Sequence, residues 1–132
     1  MDKATIKISD FGLSKILSHY EKTTEGYGTL PLTAPEIIKH FPYSKSVDVW
    51  SLGIMAYFLI SKALPFIDNN YVEKIIANKI KNSKLDFPNC LWKNVSKKAI
   101  SFIELCLEKD EKKRWTIDEV LAHEWLKPDM EK

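Results

Sequence analysis

Residues 47–60, VDVWSLGIMAYFLI, contain only two polar side chains, Asp48 and Ser51. Wound at about 3.6 residues per turn, the segment has almost no polar face, so a helix here needs cover on nearly every side. It cannot instead cross a bilayer, which takes about 20 apolar residues. A chain carrying it is expected to fold as a helical core wrapped around one buried helix. With 132 residues, 45% of them hydrophobic and 29% charged, the chain has the size and composition of one modest globular domain.

The flanking pattern supplies the wrapping. ATIKI, residues 4–8, alternates small or polar with apolar side chains and reads as a short strand that ends at a turn over residues 10–12. Residues 13–33 hold no sustained period and include Gly26, Gly28 and Pro31, which predicts a long loop. PEIIKHF then opens a short helix on Pro35. Ser46 is placed to cap the central helix. Asn69 is placed to cap a helix over 71–81, with Val72, Ile75, Ile76, Lys79 and Ile80 on one face, and Ser96 a helix that buries Ala99, Ile100 and Ile103. TIDE, with Thr116 at the cap and Glu119 three residues on, is a capping box before VLAHEWL. The expected class is mainly α: one short strand, one long loop, then four or five helices around a buried one.

Charge and cysteine content narrow the function classes. A net charge of +2, with lysines spread among acidic residues, does not make a nucleic-acid surface. Cys90 and Cys106 form no CxxC pair, and His19, His40 and His123 are scattered, so the spacing does not support a zinc site. Reduced thiols in a cytoplasmic setting are expected. No leader pattern opens the chain and no membrane partner is expected.

Several short motifs then agree in order and spacing. DFG stands at residues 10–12; GT at Gly28 and Thr29 precedes APE at residues 34–36 by four residues; DVWSLG begins at Asp48; LPF begins at Leu64; KKR ends at Arg114; and HEW begins at His123. The set resembles the second half of a eukaryotic protein kinase domain, and the HEW ending most resembles the calcium- and calmodulin-dependent group. That resemblance implies the C-terminal lobe portion of a protein-kinase-like α+β fold. It divides the chain into strand and DFG at 1–12, activation segment at 13–36 and helical subdomain at 37–132, together a partial protein kinase domain.

The resemblance also implies roles. Asp10 would bind the magnesium that bridges ATP phosphates, a hard oxygen ligand for a hard cation, with Phe11 packed inward to orient it and Gly12 giving the backbone freedom to move. Thr29 would help position the acceptor hydroxyl, and Leu30, Pro31, Leu32 and Thr33 would line the pocket for the next substrate residue. Leu32 stands where family members usually carry tyrosine, and Pro31 is unusual there. Glu36 would pair with Arg114 through a two-pronged bond that ties the loop end to the helical body. Asp48 would hold the catalytic loop, cap its own helix, or do both. Trp50 and Gly53 would be structural, and Met55 and Leu59 would support the hydrophobic columns that link kinase lobes. Phe58 stands where some basic-directed kinases carry a glutamate for substrate arginine. Glu25 lies four residues before Thr29, where many kinases are phosphorylated. It would either supply a permanent negative charge or be merely solvated, with Thr23 or Thr24 the modified residue. GT, LPF and HEW indicate serine/threonine specificity.

The 132 residues contain no glycine-rich loop, no VAIK-type lysine and no HRD…N motif. ATP, magnesium and a protein substrate are therefore expected to engage this chain only with an N-terminal lobe and catalytic loop supplied in cis. Alone it is expected to be inactive and to expose an apolar patch where preceding helices would sit. Calmodulin or a calmodulin-like domain is the regulator that the group resemblance implies; no EF-hand loop is present in these residues. Two accounts follow: part of a serine/threonine kinase, or a non-catalytic, kinase-derived scaffold that binds partners through the helical lobe.

Overall fold

The structure, a computed structural model, describes residues 5–127. Six helices follow one another: α1 (Pro35–Ile38), α2 (Ser46–Ser61), α3 (Glu73–Asn82), α4 (Asn89–Trp92), α5 (Lys97–Cys106) and α6 (Ile117–Leu121). Single 3-10 turns at Leu30–Leu32 and Glu124–Leu126 complete the regular structure. The class is mainly α, as the hydrophobic pattern predicts. Residue 4 lies outside the described residues, and 5–8 form no strand; Ile6 and Ile8 are exposed. An extended segment becomes a strand only when a neighbour accepts and donates its backbone bonds, and no described segment runs beside it. Among the described residues the one pairing of this kind is an isolated antiparallel bridge between Thr23 and Tyr43.

Helix α2 is the centre. Val49, Trp50, Gly53, Ile54, Ala56 and Tyr57 are buried. α5 and α6 pack against it. Its first cap position is Lys45 rather than Ser46, and no side chain caps it. It ends where Lys62 turns left-handed, at φ 59°, and donates its N–H to the Phe58 carbonyl. Cover is one-sided, short of what the pattern predicts: Met55, Phe58 and Leu59 are 56%, 44% and 59% exposed.

Gly53 sets how closely α5 approaches. A Cβ there would lie 2.7 Å from the Cys106 Cβ and 2.8 Å from Leu107 Cδ2, so the two helices meet across a bare backbone. Cys106 is buried beside it and its thiol pKa is pushed up to about 12, chiefly by burial. Two aromatic groups flank this contact. Tyr57, Phe87 and Trp92 pack with ring centroids 4.6–5.7 Å apart, which gives the short α4 its reason to exist, since it delivers Trp92 to the core. Phe102 of α5 packs on His123 and Trp125 at 5.5 and 4.8 Å, seating the HEW turn.

Helix α3 starts two residues later than its pattern predicts. Tyr71 has φ 52°, a left-handed turn that cannot enter a helix, and Asp68 rather than Asn69 accepts the Asn70 and Val72 amides at 3.2 Å. Ile76 and Ile80 are fully buried, while Val72 and Ile75 are partly exposed. At its far end Lys109 reaches back: Nζ donates to the Lys79 carbonyl at 3.1 Å and to that of Ile80, over the Phe66 ring at 4.2 Å. These bonds satisfy carbonyls that any helix end leaves open. Burial, with Lys39 nearby, lowers the Lys109 pKa to about 8. Ser96 caps α5 by accepting the Ala99 N–H, and the Thr116–Glu119 capping box forms as predicted.

Replacing Gly53 with alanine should destabilise the protein by about 1–3 kcal/mol through overpacking. The same change at Gly26, where a Cβ meets nothing within 4 Å, should leave stability almost unchanged. Urea unfolding of the two variants checks the contrast.

Candidate functional site

The segment from Asp10 to Arg114's partner Glu36 is irregular in backbone yet tied down at several points. At its start Asp10 sits at φ 63°, a conformation that aspartate tolerates better than most residues. The left-handed residue is therefore Asp10 itself, not Gly12. A Cβ at Gly12 would lie 3.4 Å from the Asp10 carboxylate oxygen, an ordinary contact. Phe11 is 66% exposed, contrary to the inward packing expected, because no described element covers this turn. Its carbonyl accepts both the Ser14 amide at 3.0 Å and the Ser14 hydroxyl at 2.7 Å, which closes the turn.

In the middle, Lys15 Nζ reaches Glu25 Oε1 at 3.1 Å and donates to Thr23 Oγ1 at 3.2 Å. Thr23 is buried and its backbone is paired both ways with Tyr43 at 2.9 Å; Thr24 is exposed. The Tyr43 hydroxyl donates to the Glu25 carbonyl. Lys22 pairs with Glu111 at 2.9 Å, and Ser44 donates to the other Glu111 oxygen at 2.8 Å. Burial alone would raise the Glu111 pKa, but the bonds from Lys22 and Ser44 outweigh it and hold the carboxyl below its ordinary value. Sequence reasoning singled out none of Lys15, Lys22, Tyr43, Ser44 or Glu111. Only Lys15 carried any signal, by standing three residues after DFG.

Near its end the segment makes the 3-10 turn Leu30–Leu32, which packs against α3. Pro31 is buried and fixes the φ of the turn's middle residue. Thr33 Oγ1 donates to the Thr29 carbonyl at 3.0 Å. The Thr29 side chain is exposed and caps nothing, and Leu32 is 42% exposed. The Thr29–Thr33 residues thus form one small braced turn with an apolar outer edge.

Glu36 and Arg114 meet as the sequence reading requires. Arg114 NH1 donates to Glu36 Oε1 at 2.6 Å and NH2 to Oε2 at 2.9 Å, both side chains buried. Two further guanidinium donors are used as well: Nε bonds the Glu108 carbonyl at 2.8 Å and NH1 the Ser46 carbonyl at 3.2 Å. The guanidinium lies 5.2 Å from the Trp50 ring centroid, and Trp50 stacks on Phe66 at 5.8 Å. One ion pair therefore joins α1, the start of α2 and the loop before α6. Asp48, in the first turn of α2, is exposed and lines a cavity of about 810 Å³ with Lys22, Ser46, Glu111 and Trp115. Its carboxylate favours the helix N-terminus and accepts no hydrogen bond from the described residues. Met55 and Leu59 stand on the uncovered face of α2, away from the packed core.

Substituting Arg114 with methionine leaves the Glu36 carboxylate buried and unpaired, at a cost of about 3–5 kcal/mol. Adding Glu36→Leu to that variant should recover part of the loss. Denaturant unfolding of the single and double variants checks both signs; a double variant as unstable as the sum of the singles would contradict the coupling.

Comparison with known proteins matches this architecture. The protein kinase domain family model matches residues 1–126. The chain is 37% identical over 128 residues to calcium/calmodulin-dependent protein kinase type 1B of Rattus norvegicus, and equally to that of Homo sapiens, covering 97% of this chain and 36% of each relative. It is 36% identical over 121 residues to a protein named probable myosin light chain kinase from Dictyostelium discoideum, covering 92% of this chain and 30% of the relative. The chain therefore spans about a third of the length of these curated relatives. With a helical body, a braced segment between DFG and APE, and a family match over almost its whole length, the chain belongs to the protein kinase domain family, and to its calcium/calmodulin-dependent kinase group.

Proposed function

We propose that this chain forms part of a serine/threonine kinase that transfers the ATP γ-phosphate to protein hydroxyls, and that it supplies the metal-binding DFG and the substrate-binding turn. The observation that carries this reading is the braced segment, which holds Thr29 on a fixed turn and leaves its side chain and that of Asp10 exposed. A scaffold has no physical need of either group.

The Asp10 carboxylate is exposed and accepts no hydrogen bond from the described residues. That suits magnesium, which takes one or two carboxylates and completes its shell with phosphate and water. No group of three metal-ligating side chains is assembled among the described residues, so Asp10 would hold the ion only together with ligands beyond them. A bound magnesium ion would offset phosphate charge during transfer. The chain's own work is positioning. Thr29 orients the acceptor hydroxyl, while Leu30, Pro31, Leu32 and Thr33 receive the following substrate residue against a turn that α3 supports. Leu32 offers that residue an apolar contact.

The Lys15 ion pair supports Glu25 as a built-in negative charge that orders the segment, and Thr23, buried with an occupied hydroxyl, is a poor acceptor for a phosphate. Thr24, exposed, is the site that the alternative needs. The uncovered α2 face of Met55, Phe58 and Leu59 receives helices of the same protein that precede Asp10 in the kinase reading. In the scaffold reading that face binds a partner, and its exposure is the observation favouring that account. A calmodulin-type regulator and a cytoplasmic location complete the proposal. This chain by itself is inactive, because the lysine and catalytic loop that phosphoryl transfer needs are not among its residues.

Two outcomes test the reading. The full-length protein should phosphorylate a serine-containing peptide with ATP and magnesium, and Asp10→Ala should abolish transfer; normal transfer without that carboxylate overturns the proposal. In the same assay Glu25→Ala should lower kcat/KM about two- to five-fold, the scale of one exposed ion pair, whereas Thr24→Ala should leave it unchanged.

A further inference from the structure

Three contacts to Glu111 and a neighbouring backbone bridge form one continuous clasp. Lys22 and Thr23 are sequence neighbours on the activation segment, and Tyr43 and Ser44 are neighbours on the strand-like approach to α2. Glu111 holds the outer members of both pairs: Oε2 takes Lys22 at 2.9 Å, and Oε1 accepts the Ser44 hydroxyl at 2.8 Å and that of Ser46 at 3.3 Å. The inner members, Thr23 and Tyr43, exchange two backbone hydrogen bonds of 2.9 Å. Tyr43 then extends the clasp inward through its hydroxyl to the Glu25 carbonyl, beside the Lys15–Glu25 pair.

An exposed lysine–glutamate pair is ordinarily worth little, because both side chains lose freedom on meeting. Glu111 differs in that its side chain is only 19% exposed and two serine hydroxyls already fix its carboxylate. Most of the ordering cost falls on the fold rather than on the pair, so Lys22 meets a preset acceptor. The clasp also acts at a point where nothing else does. Glu36–Arg114 anchors the end of the segment and the Ser14 turn closes its start, but residues 16–22 make no other side-chain bond to the helical body among the described residues.

We propose that Lys22 and Glu111 are positioning residues: their ion pair pins the middle of the activation segment to the loop before α6 and thereby orders the Glu25–Thr29 stretch. The consequence for phosphoryl transfer rests on the kinase reading above; the pinning itself does not. Amide hydrogen exchange in the full-length protein separates them. Lys22→Met and Glu111→Gln should each speed exchange at the Thr23 and Tyr43 amides about two- to five-fold, the scale of one ion pair. The double variant should exchange no faster than the faster single, and Lys22→Arg should retain protection. Amides of α5, such as Ile103, should be unaffected in all four, which shows that the fold is intact. Unchanged exchange at Thr23 and Tyr43 in Lys22→Met, an exposed position that tolerates substitution, overturns the clasp. Faster exchange in a protein that transfers no phosphate upholds the clasp and sinks the kinase reading instead.

Discussion

The buried fork between Glu36 and Arg114 is the constraint on which the rest of the architecture depends. Neither charge can sit in the interior alone: each Glu36 oxygen accepts from Arg114, and the guanidinium gives two further bonds to the Glu108 and Ser46 carbonyls. Geometry follows from this. The plane of the guanidinium fixes α1 relative to the loop before α6, and its bond to the Ser46 carbonyl fixes both to the first turn of α2. Trp50, against which the guanidinium lies, transmits the same registration to Phe66 and so to the end of α3 held by Lys109.

The central helix supplies the energy that the ion pair cannot. Its buried face meets α5 across a glycine, close enough that Cys106 and Leu107 occupy the space a side chain would need. Burial of large side chains such as Trp50, Ile103 and Phe66 provides the driving force. The opposite face, with Met55, Phe58 and Leu59, remains in water. A helix this apolar is built for two-sided cover.

The stretch from Asp10 to Glu36 shows how an irregular segment can be ordered without a sheet or helix of its own. It is fastened in turn by the Phe11–Ser14 turn, the Lys15–Glu25 pair, the Thr23–Tyr43 bridge and finally α1. Each fastening is modest, and they act on one continuous backbone, so loosening one exposes its neighbours. Such a segment sits naturally at the low-stability end of a fold, where regulatory charge has most leverage.

Much of this could be read from neighbouring residues. The Ser96 cap and the Thr116–Glu119 box are set by side chains three residues apart, and the central helix by its own composition, so local chemistry decides them. Glu36 and Arg114 stand 78 positions apart and were legible only because both lie in motifs of known order. Lys22 and Glu111 lie 89 apart with no such motif, and nothing in either neighbourhood announces the other. Nor could the pattern show that Tyr71 turns left-handed and delays α3, or that residues 5–8 lack a strand neighbour. Sequence by itself determined the helical class, the caps at Ser96 and Thr116 and the chemistry available at Asp10 and Thr29, because these depend on a residue and its near neighbours. Tertiary structure alone decided which charges meet, which face of α2 stays uncovered and where the segment is pinned, because those outcomes depend on distances between parts of the chain that only the folded packing brings together.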